Sequence, residues 1–293
     1  MEQALRAGYT VLKENGTALD AVEAAVRVLE DNPLFNAGRG ASLGWNGDAE
    51  LDASLMDSAG RAGAIAGVRT VRNPVTLARA VMERSPYVFL VGPGAEEFAQ
   101  SVAEDANIEL VTNDYFMTPG RQAQWKALRA RGGNFGTMNT AALPVDIDLP
   151  DPAQPADGKM GTVGAVARDV NGNLAAATST GGMAVKRYGR IGDSPVIGAG
   201  TWADTRCAIS ATGHGEFFIR GAVAHDIAAR VAYGNAPLPD AARVVVLEHL
   251  AAQNADGGLI ALGVDGVCVL PFNTPAMYRG CIAADGTVFT AIF

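Results

Sequence analysis

Gly161-Thr162-Val163-Gly164-Ala165-Val166-Ala167, then Asn171-Gly172, then Leu174-Ala175-Ala176-Ala177-Thr178-Ser179-Thr180 is the stretch that decides the fold. Thr162 to Ala167 alternates small and branched residues, as a strand does. Asn171-Gly172 reads as a two-residue hairpin turn, and Leu174 to Thr180 as the return strand. Beyond it, strands are expected near 206–211, 258–263, 266–270 and 281–292, with a second turn at Asp265-Gly266. Two helices intervene, near 217–233 and 239–252. Toward the N-terminus, a helix over 2–14 stops near Asn15-Gly16, and Thr17 with Asp20 opens the next in a box-like cap. Pro33 ends that helix, and Phe35-Asn36-Ala37-Gly38-Arg39-Gly40 is too glycine-rich for a regular element. Strands follow near 50–56 and 62–68. Asn73-Pro74 starts a helix reaching Arg84, Tyr87 to Val91 reads as a short buried strand, and helices follow near 94–104 and 121–131. The sum is α+β: hairpin-linked, largely antiparallel strands with helices packed on the sheets.

Composition narrows the functional classes. Of 293 residues 48% are hydrophobic and 18% charged, enough for a core and too apolar for a disordered chain. The 35 glycines have no three-residue period, which excludes collagen. The net charge is −8 with no run of Lys or Arg, so nucleic acid is not an expected partner. No apolar run approaches about 18 residues and no signal-peptide pattern is visible, so neither a membrane partner nor export is expected, and the cytoplasm is the expected location. Cys207, Cys268 and Cys281 form no CxxC pair and are expected to be buried, inert thiols. His214, His225 and His249 form no HExxH pattern, so no histidine metal site is expected.

From Gly132 to Met160 the periodicity fails, and Pro144, Pro150, Pro152 and Pro155 alternate with aspartates. The stretch reads as an exposed linker of about 132–161, either functional or a domain boundary. Four segments around and after it are richer in hydroxyls, glycines and charges than packing requires: 160–164, 178–182, 189–195 and 211–216. Singly, each has a plain explanation. Thr162 and Thr180 can be strand residues, Arg190 and Asp193 a surface ion pair of little worth, and the glycines around His214 a strand-to-helix turn. A phosphate loop fits poorly, because no Lys-Ser/Thr follows those glycines.

Together these segments resemble one family. LFNAG at 34–38, GTVGAV at 161–166, TSTGG at 178–182, GRIGDSP at 189–195, TGHGE at 212–216 and PFNT at 271–274 are similar to the isoaspartyl peptidase/L-asparaginase group, the plant-type asparaginases among the threonine N-terminal nucleophile hydrolases. The family's His-Gly-Gly-Ala-Gly motif, which precedes the first helix, is not among these residues. The resemblance implies a four-layer αββα sandwich as a single domain. It implies a precursor that cuts itself between Gly161 and Thr162 into an α chain, 1–161, and a β chain, 162–293. It further implies a dimer of the cleaved αβ heterodimers and small-molecule or dipeptide substrates.

The resemblance also assigns roles. Thr162 is the nucleophile, Thr180 orients it, and Thr212 with the Gly213 N–H forms the oxyanion hole. Arg190 takes the substrate α-carboxylate and Asp193 the α-ammonium, with Gly215 beside them. Asn36 supports the cluster from the α chain. No organic cofactor is implied. A structural sodium is, held by backbone carbonyls of Leu29, Glu30, Asn32, Phe35, Ala37 and Arg39. The residue types suit the chemistry. A threonine hydroxyl needs a base, and a freed α-amine, with an ordinary pKa of about 7.7–8.0, supplies one in the same residue. Glycine before the threonine lets the hydroxyl approach its own carbonyl. The implied activity is hydrolysis of β-aspartyl peptides and L-asparagine through an acyl-enzyme. A glycosylasparaginase preference, or a ligand-binding relative that stays uncut, are the alternatives.

Overall fold

The computed structural model of the chain describes residues 1–130 and 161–293. The linker expected at about 132–161 lies, up to Met160, outside the described residues. The chain opens with α1 (Glu2–Lys13) and α2 (Ala18–Glu30). Thr17 Oγ1 accepts the Asp20 N–H at 3.1 Å and the Asp20 carboxylate accepts the Thr17 N–H at 3.2 Å. The capping box read from the sequence is therefore made. β1 (Leu51–Asp57) and β2 (Ala62–Val68) form an antiparallel pair. α3 (Pro74–Arg84) starts on the proline, whose missing N–H costs nothing in a first turn. β3 (Phe89–Val91) then adds parallel to β2. It was expected to be buried, yet Phe89 and Val91 are exposed, because β3 is the edge strand of its sheet. α4 (Gly92–Val102) and α5 (Pro119–Ala130) complete the first half.

β4 (Val163–Arg168) and β5 (Leu174–Thr180) pair antiparallel, with Val163 opposite Ser179 and Arg168 opposite Leu174. Their turn is longer than two residues. Asp169 N–H bonds to Asn173 O at 3.0 Å, enclosing Val170-Asn171-Gly172, with Gly172 left-handed at φ 82. This is a three-residue hairpin loop whose last position calls for glycine. Asp265-Gly266 and Asp285-Gly286 close in the same way, through Gly263–Val267 and Ala283–Thr287.

β6 (Thr201–Ala203) and β7 (Cys207–Gly213) follow, then α6 (Gly215–Gly221) and α7 (Val223–Gly234). The one helix expected over 217–233 is two, broken at Ala222, which is left-handed at φ 43. α8 (Leu238–Arg243) passes into a π-helical segment, Val244–Leu250. β8 (Gly257–Gly263) and β9 (Cys268–Val269) extend the second sheet. The single strand expected over 281–292 is a hairpin of β10 (Arg279–Ile282) and β11 (Val288–Ala291).

The architecture is mixed α+β. One sheet has the order β3-β2-β1-β5-β4 and the other β6-β7-β8-β9. Period-two alternation sorts their side chains into layers. Ala53, Leu55, Ala175 and Ala177 join the core formed with α2 and α3. Met56, Leu174 and Ala176 meet Ala203 and Ala208 of the second sheet. Ile209, Ala211, Leu259 and Ala261 pack with α6, α7 and α8. Between the sheets runs a buried chain of hydroxyls. Ser54 donates to Thr201 at 2.8 Å, Thr201 to Thr178 at 2.6 Å, and Thr178 meets Ser210 at 2.7 Å. Paired hydroxyls of this kind satisfy one another where water is absent, and they fix how the two sheets lie. Of the cysteines, Cys207 is buried, and burial pushes its thiol up to about 12. Cys268 is exposed and Cys281 half-buried, so only one fits the expected buried class.

Candidate active site

The β4–β5 register puts Thr162, just before β4, across from Thr180, the last residue of β5. Thr162 Oγ1 donates to Thr180 Oγ1 at 3.0 Å, and the Gly182 N–H donates to the same oxygen at 3.0 Å. With two donors pointed at it, the Thr180 oxygen is fixed in place. Asn36 lies against this pair with every polar group engaged. Its N–H donates to Gly161 O at 3.3 Å and its carbonyl accepts the Gly181 N–H at 3.0 Å. Its Nδ2 donates to Gly182 O at 2.8 Å, and its Oδ1 accepts the Ser42 N–H at 2.7 Å. Thr212, near the end of β7, is close by: a side-chain carbon on Gly161 would lie 3.5 Å from Thr212 Oγ1. Gly213 follows it. His214 is tied to Asp256: its Nδ1 accepts the Asp256 N–H at 3.2 Å and its backbone N–H donates to Asp256 O at 2.9 Å.

Arg190, Asp193 and Gly215 form the second cluster. A Cβ on Gly215 would sit 3.0 Å from Arg190 Nη2 and 3.0 Å from Asp193 Oδ1. The cation and the carboxylate thus flank one bare Cα. Asp193 is buried, and its Oδ2 has no hydrogen-bond partner. Burial pushes its carboxyl up to about 7, with Glu216 adding to the rise and Arg190 opposing it. Arg190 does not pair with Asp193 as an isolated surface bridge. It makes a two-point contact with Glu216, Nε to Oε1 at 2.9 Å and Nη2 to Oε2 at 3.0 Å.

Two buried charges lie behind the site. Lys186 donates from Nζ to Glu50 O at 2.9 Å and stands 3.7 Å from Asp52 Oδ2. Burial raises the Asp52 carboxyl and Lys186 counters it. A Cβ on Gly182 would come within 2.9 Å of Lys186 Nζ, so the lysine packs directly under the turn that holds Thr180. Sequence reading gave Lys186 no role, because a lysine between Val185 and Arg187 looks like part of a solvated loop. Beyond it an open cavity of about 400 Å³ is lined by Trp45, Asn46, Arg187 and Tyr188, and none of the threonines of the site reaches it.

In the loop after α2 the backbone approaches itself closely at two glycines. A Cβ on Gly38 would lie 2.4 Å from Glu30 O, and one on Gly40 would lie 2.1 Å from Phe35 O. Only a bare glycine leaves room for such an approach at each position. Leu29, Asn32 and Ala37 carbonyls each accept one N–H, which leaves a lone pair on each. The Glu30 side chain is fully buried. It accepts the Val75 N–H at 3.0 Å, and burial pushes its carboxyl up to about 8. Among the described residues no group of three or more His, Cys, Asp or Glu is gathered as for a transition metal.

Residues 1–292 match the family described as asparaginase. The chain is 48% identical over 295 residues to the isoaspartyl peptidase of Salmonella typhimurium, which covers 100% of this chain and 90% of the relative. It is 46% identical over 288 residues to the isoaspartyl peptidase of Escherichia coli (98% of this chain, 85% of the relative). It is 42% identical over 272 residues to the isoaspartyl peptidase/L-asparaginase of Mus musculus (92% and 77%).

Proposed function

The chain belongs to the asparaginase family, and from that premise we propose that it is an isoaspartyl peptidase and L-asparaginase that activates itself by cutting before Thr162. The observation that carries this reading is the Thr162–Thr180 hydroxyl pair beside a Gly161 carbonyl already held by the Asn36 amide. In the uncut chain the Thr162 hydroxyl attacks the Gly161 carbonyl. Negative charge grows on the oxygen that Asn36 N–H holds, the hydroxyl proton passes to the Thr162 nitrogen, the C–N bond breaks, and an ester replaces the peptide bond. Water then hydrolyses the ester, leaving a Gly161 carboxylate and a Thr162 α-amine.

In turnover that amine takes the Thr162 hydroxyl proton as Oγ1 attacks the side-chain amide of the substrate. Thr212 Oγ1 and the Gly213 N–H stabilise the oxyanion, and each such donor is worth about 2.7–4 kcal/mol of barrier. The amine returns the proton to the leaving group. Ammonia departs from asparagine, or a peptide amine from a β-aspartyl peptide. Water then releases aspartate. Arg190 takes the α-carboxylate and the orphaned Oδ2 of Asp193 takes the α-ammonium, on either side of Gly215. The three apolar layers of the fold support a four-layer αββα arrangement in one domain. Carbonyls of Leu29, Glu30, Asn32, Phe35, Ala37 and Arg39 would hold a sodium ion, which braces the loop carrying Asn36. The working assembly is a dimer of cleaved heterodimers in the cytoplasm.

Denaturing electrophoresis of purified protein tests the reading. Wild type should split into two bands, the smaller beginning at Thr162. Thr162→Ala should stay one chain and hydrolyse neither L-asparagine nor a β-aspartyl dipeptide. A Thr162→Ala protein that still splits after Gly161 would overturn the assignment.

A further inference from the structure

Glu216 has no part in the proton transfers or the oxyanion hole above, yet among the described residues it is the one whose side chain hydrogen-bonds the Arg190 guanidinium. Two parallel N–H···O bonds, 2.9 and 3.0 Å, lock the Nε/Nη2 edge of the guanidinium to the Glu216 carboxylate. An arginine has five N–H donors in a planar fork. Two are taken here; of the three remaining, one on Nη1 and one on Nη2 form the parallel pair of the Nη1/Nη2 edge, and the third, on Nη1, points back toward Cδ. Two glycines also approach the guanidinium nitrogens closely. A Cβ on Gly192 would lie 2.9 Å from Nη1 and one on Gly215 3.0 Å from Nη2, so a side chain at either position would crowd the guanidinium. Gly215 is also 3.0 Å, by the same measure, from Asp193 Oδ1. Nη2, which the clamped edge shares with the edge that no described residue bonds, thus lies near the carboxylate that receives the ammonium.

We propose that Glu216 is a positioning residue: its carboxylate clamps one edge of Arg190, so that the other edge is aimed at the substrate α-carboxylate, and it thereby sets the affinity for the aminoacyl end of the substrate. This rests on the substrate reading above, in which Arg190 meets that carboxylate. The physical case is preorganisation. A free arginine loses rotamer freedom when it binds, and a clamped one has already lost it. The bidentate fork fixes the plane as well as the position, which a lone charge does not. Glu216 is 51% exposed and Arg190 22%, so the pair contributes little to folding. Burial tends to raise the Glu216 carboxyl, but the hydrogen bonds and charge of Arg190, with its own N–H and His214, hold it below the ordinary range. It remains a charged clamp throughout the neutral region.

The test compares Glu216→Ala, Glu216→Gln, Arg190→Ala and the double alanine variant, with L-asparagine and a β-aspartyl dipeptide as substrates and L-aspartate as a binding probe. Glu216→Ala should raise KM for both substrates, and Kd for L-aspartate, by about tenfold, the cost of one positioned contact. Its kcat and its rate of self-cleavage should stay within about twofold of wild type, because neither the cut peptide nor the oxyanion hole uses Arg190. Glu216→Gln keeps one acceptor for the fork and should fall between. The double variant should be no worse than Arg190→Ala, since Glu216 acts through the arginine. An unchanged or lowered KM in Glu216→Ala overturns the proposal, the lowered value meaning that Glu216 competes with the substrate. A loss confined to kcat, or a fall in self-cleavage, overturns it also. If Arg190→Ala itself leaves KM unchanged, the substrate reading has failed and the clamp falls with it. If Arg190→Ala raises KM and Glu216→Ala does not, only the clamp is wrong.

Discussion

At Asp193 a buried carboxylate oxygen is left without a partner, and that makes its protonation the most informative titration in the molecule. Its carboxyl ordinarily titrates near 3.8 and is pushed up to about 7 by burial. Below about pH 7 the ligand-free protein therefore holds the neutral acid, which attracts an ammonium poorly. KM for L-asparagine should rise as the pH falls through 7, in a steady-state profile. Stability runs the other way. The folded protein holds this proton more tightly than the unfolded chain, so the contribution of Asp193 to stability is full below about pH 4 and is lost as the pH rises through about 7. Asp193→Asn should consequently melt at a higher temperature than wild type at pH 8. Its kcat/KM should fall by about thirtyfold or more, the low end of losing one partner of a buried charge contact. A variant less stable than wild type at pH 8 would count against this account. The positions of Thr162, Thr180 and Asn36 were legible in the sequence, because ordered motifs mark them. Lys186 and the grip of Glu216 on Arg190 were not. Whether a charged residue is buried or exposed depends on what the fold brings over it, and no local spacing states that.

Among the elements, β1 and the segment after β5 are pinned together by Lys186 and Asp52, both fully buried. Removing one partner strands the other charge, which typically costs about 3–5 kcal/mol. Lys186→Met, built on a Thr162→Ala background so that the chain stays whole, should lower the urea midpoint accordingly. Adding Asp52→Asn should recover part of the loss by removing the stranded charge. If Lys186→Met unfolds at the midpoint of its Thr162→Ala parent, the pair is not holding these elements. The hairpins were readable as elements because Asn-Gly and Asp-Gly are strong local signals, though the loops proved one residue longer. The Asp285-Gly286 turn was equally visible and was read through as strand. β6 was missed because three residues among Gly198, Gly200 and Pro195 carry no alternation. The break at Ala222 has no signal of its own, since alanine ordinarily favours the right-handed region and nothing in its residue type marks a left-handed turn. β3 was read as buried because apolar residues imply burial only when another strand or layer covers them.

For the molecule as a whole, the proposed cut falls between strands that share one sheet. β1 comes before the cut and β5 after it, and they pair over six residues from Asp52–Thr180 to Asp57–Ala175. The fragments should therefore stay together in native size-exclusion chromatography and part only in denaturant. Elution as two separate species would contradict the shared sheet. Once the chain is cut as proposed, that interleaving would make folding a one-way history. The continuous chain finds β1 and β5 as parts of one polymer, at a high effective concentration. The mature protein, once unfolded, must find them as two solutes, in a search that slows with dilution and competes with aggregation. The working enzyme would then persist because it opens slowly, with no easy route back once it does. Its lifetime would be decided by an unfolding barrier and not by an equilibrium.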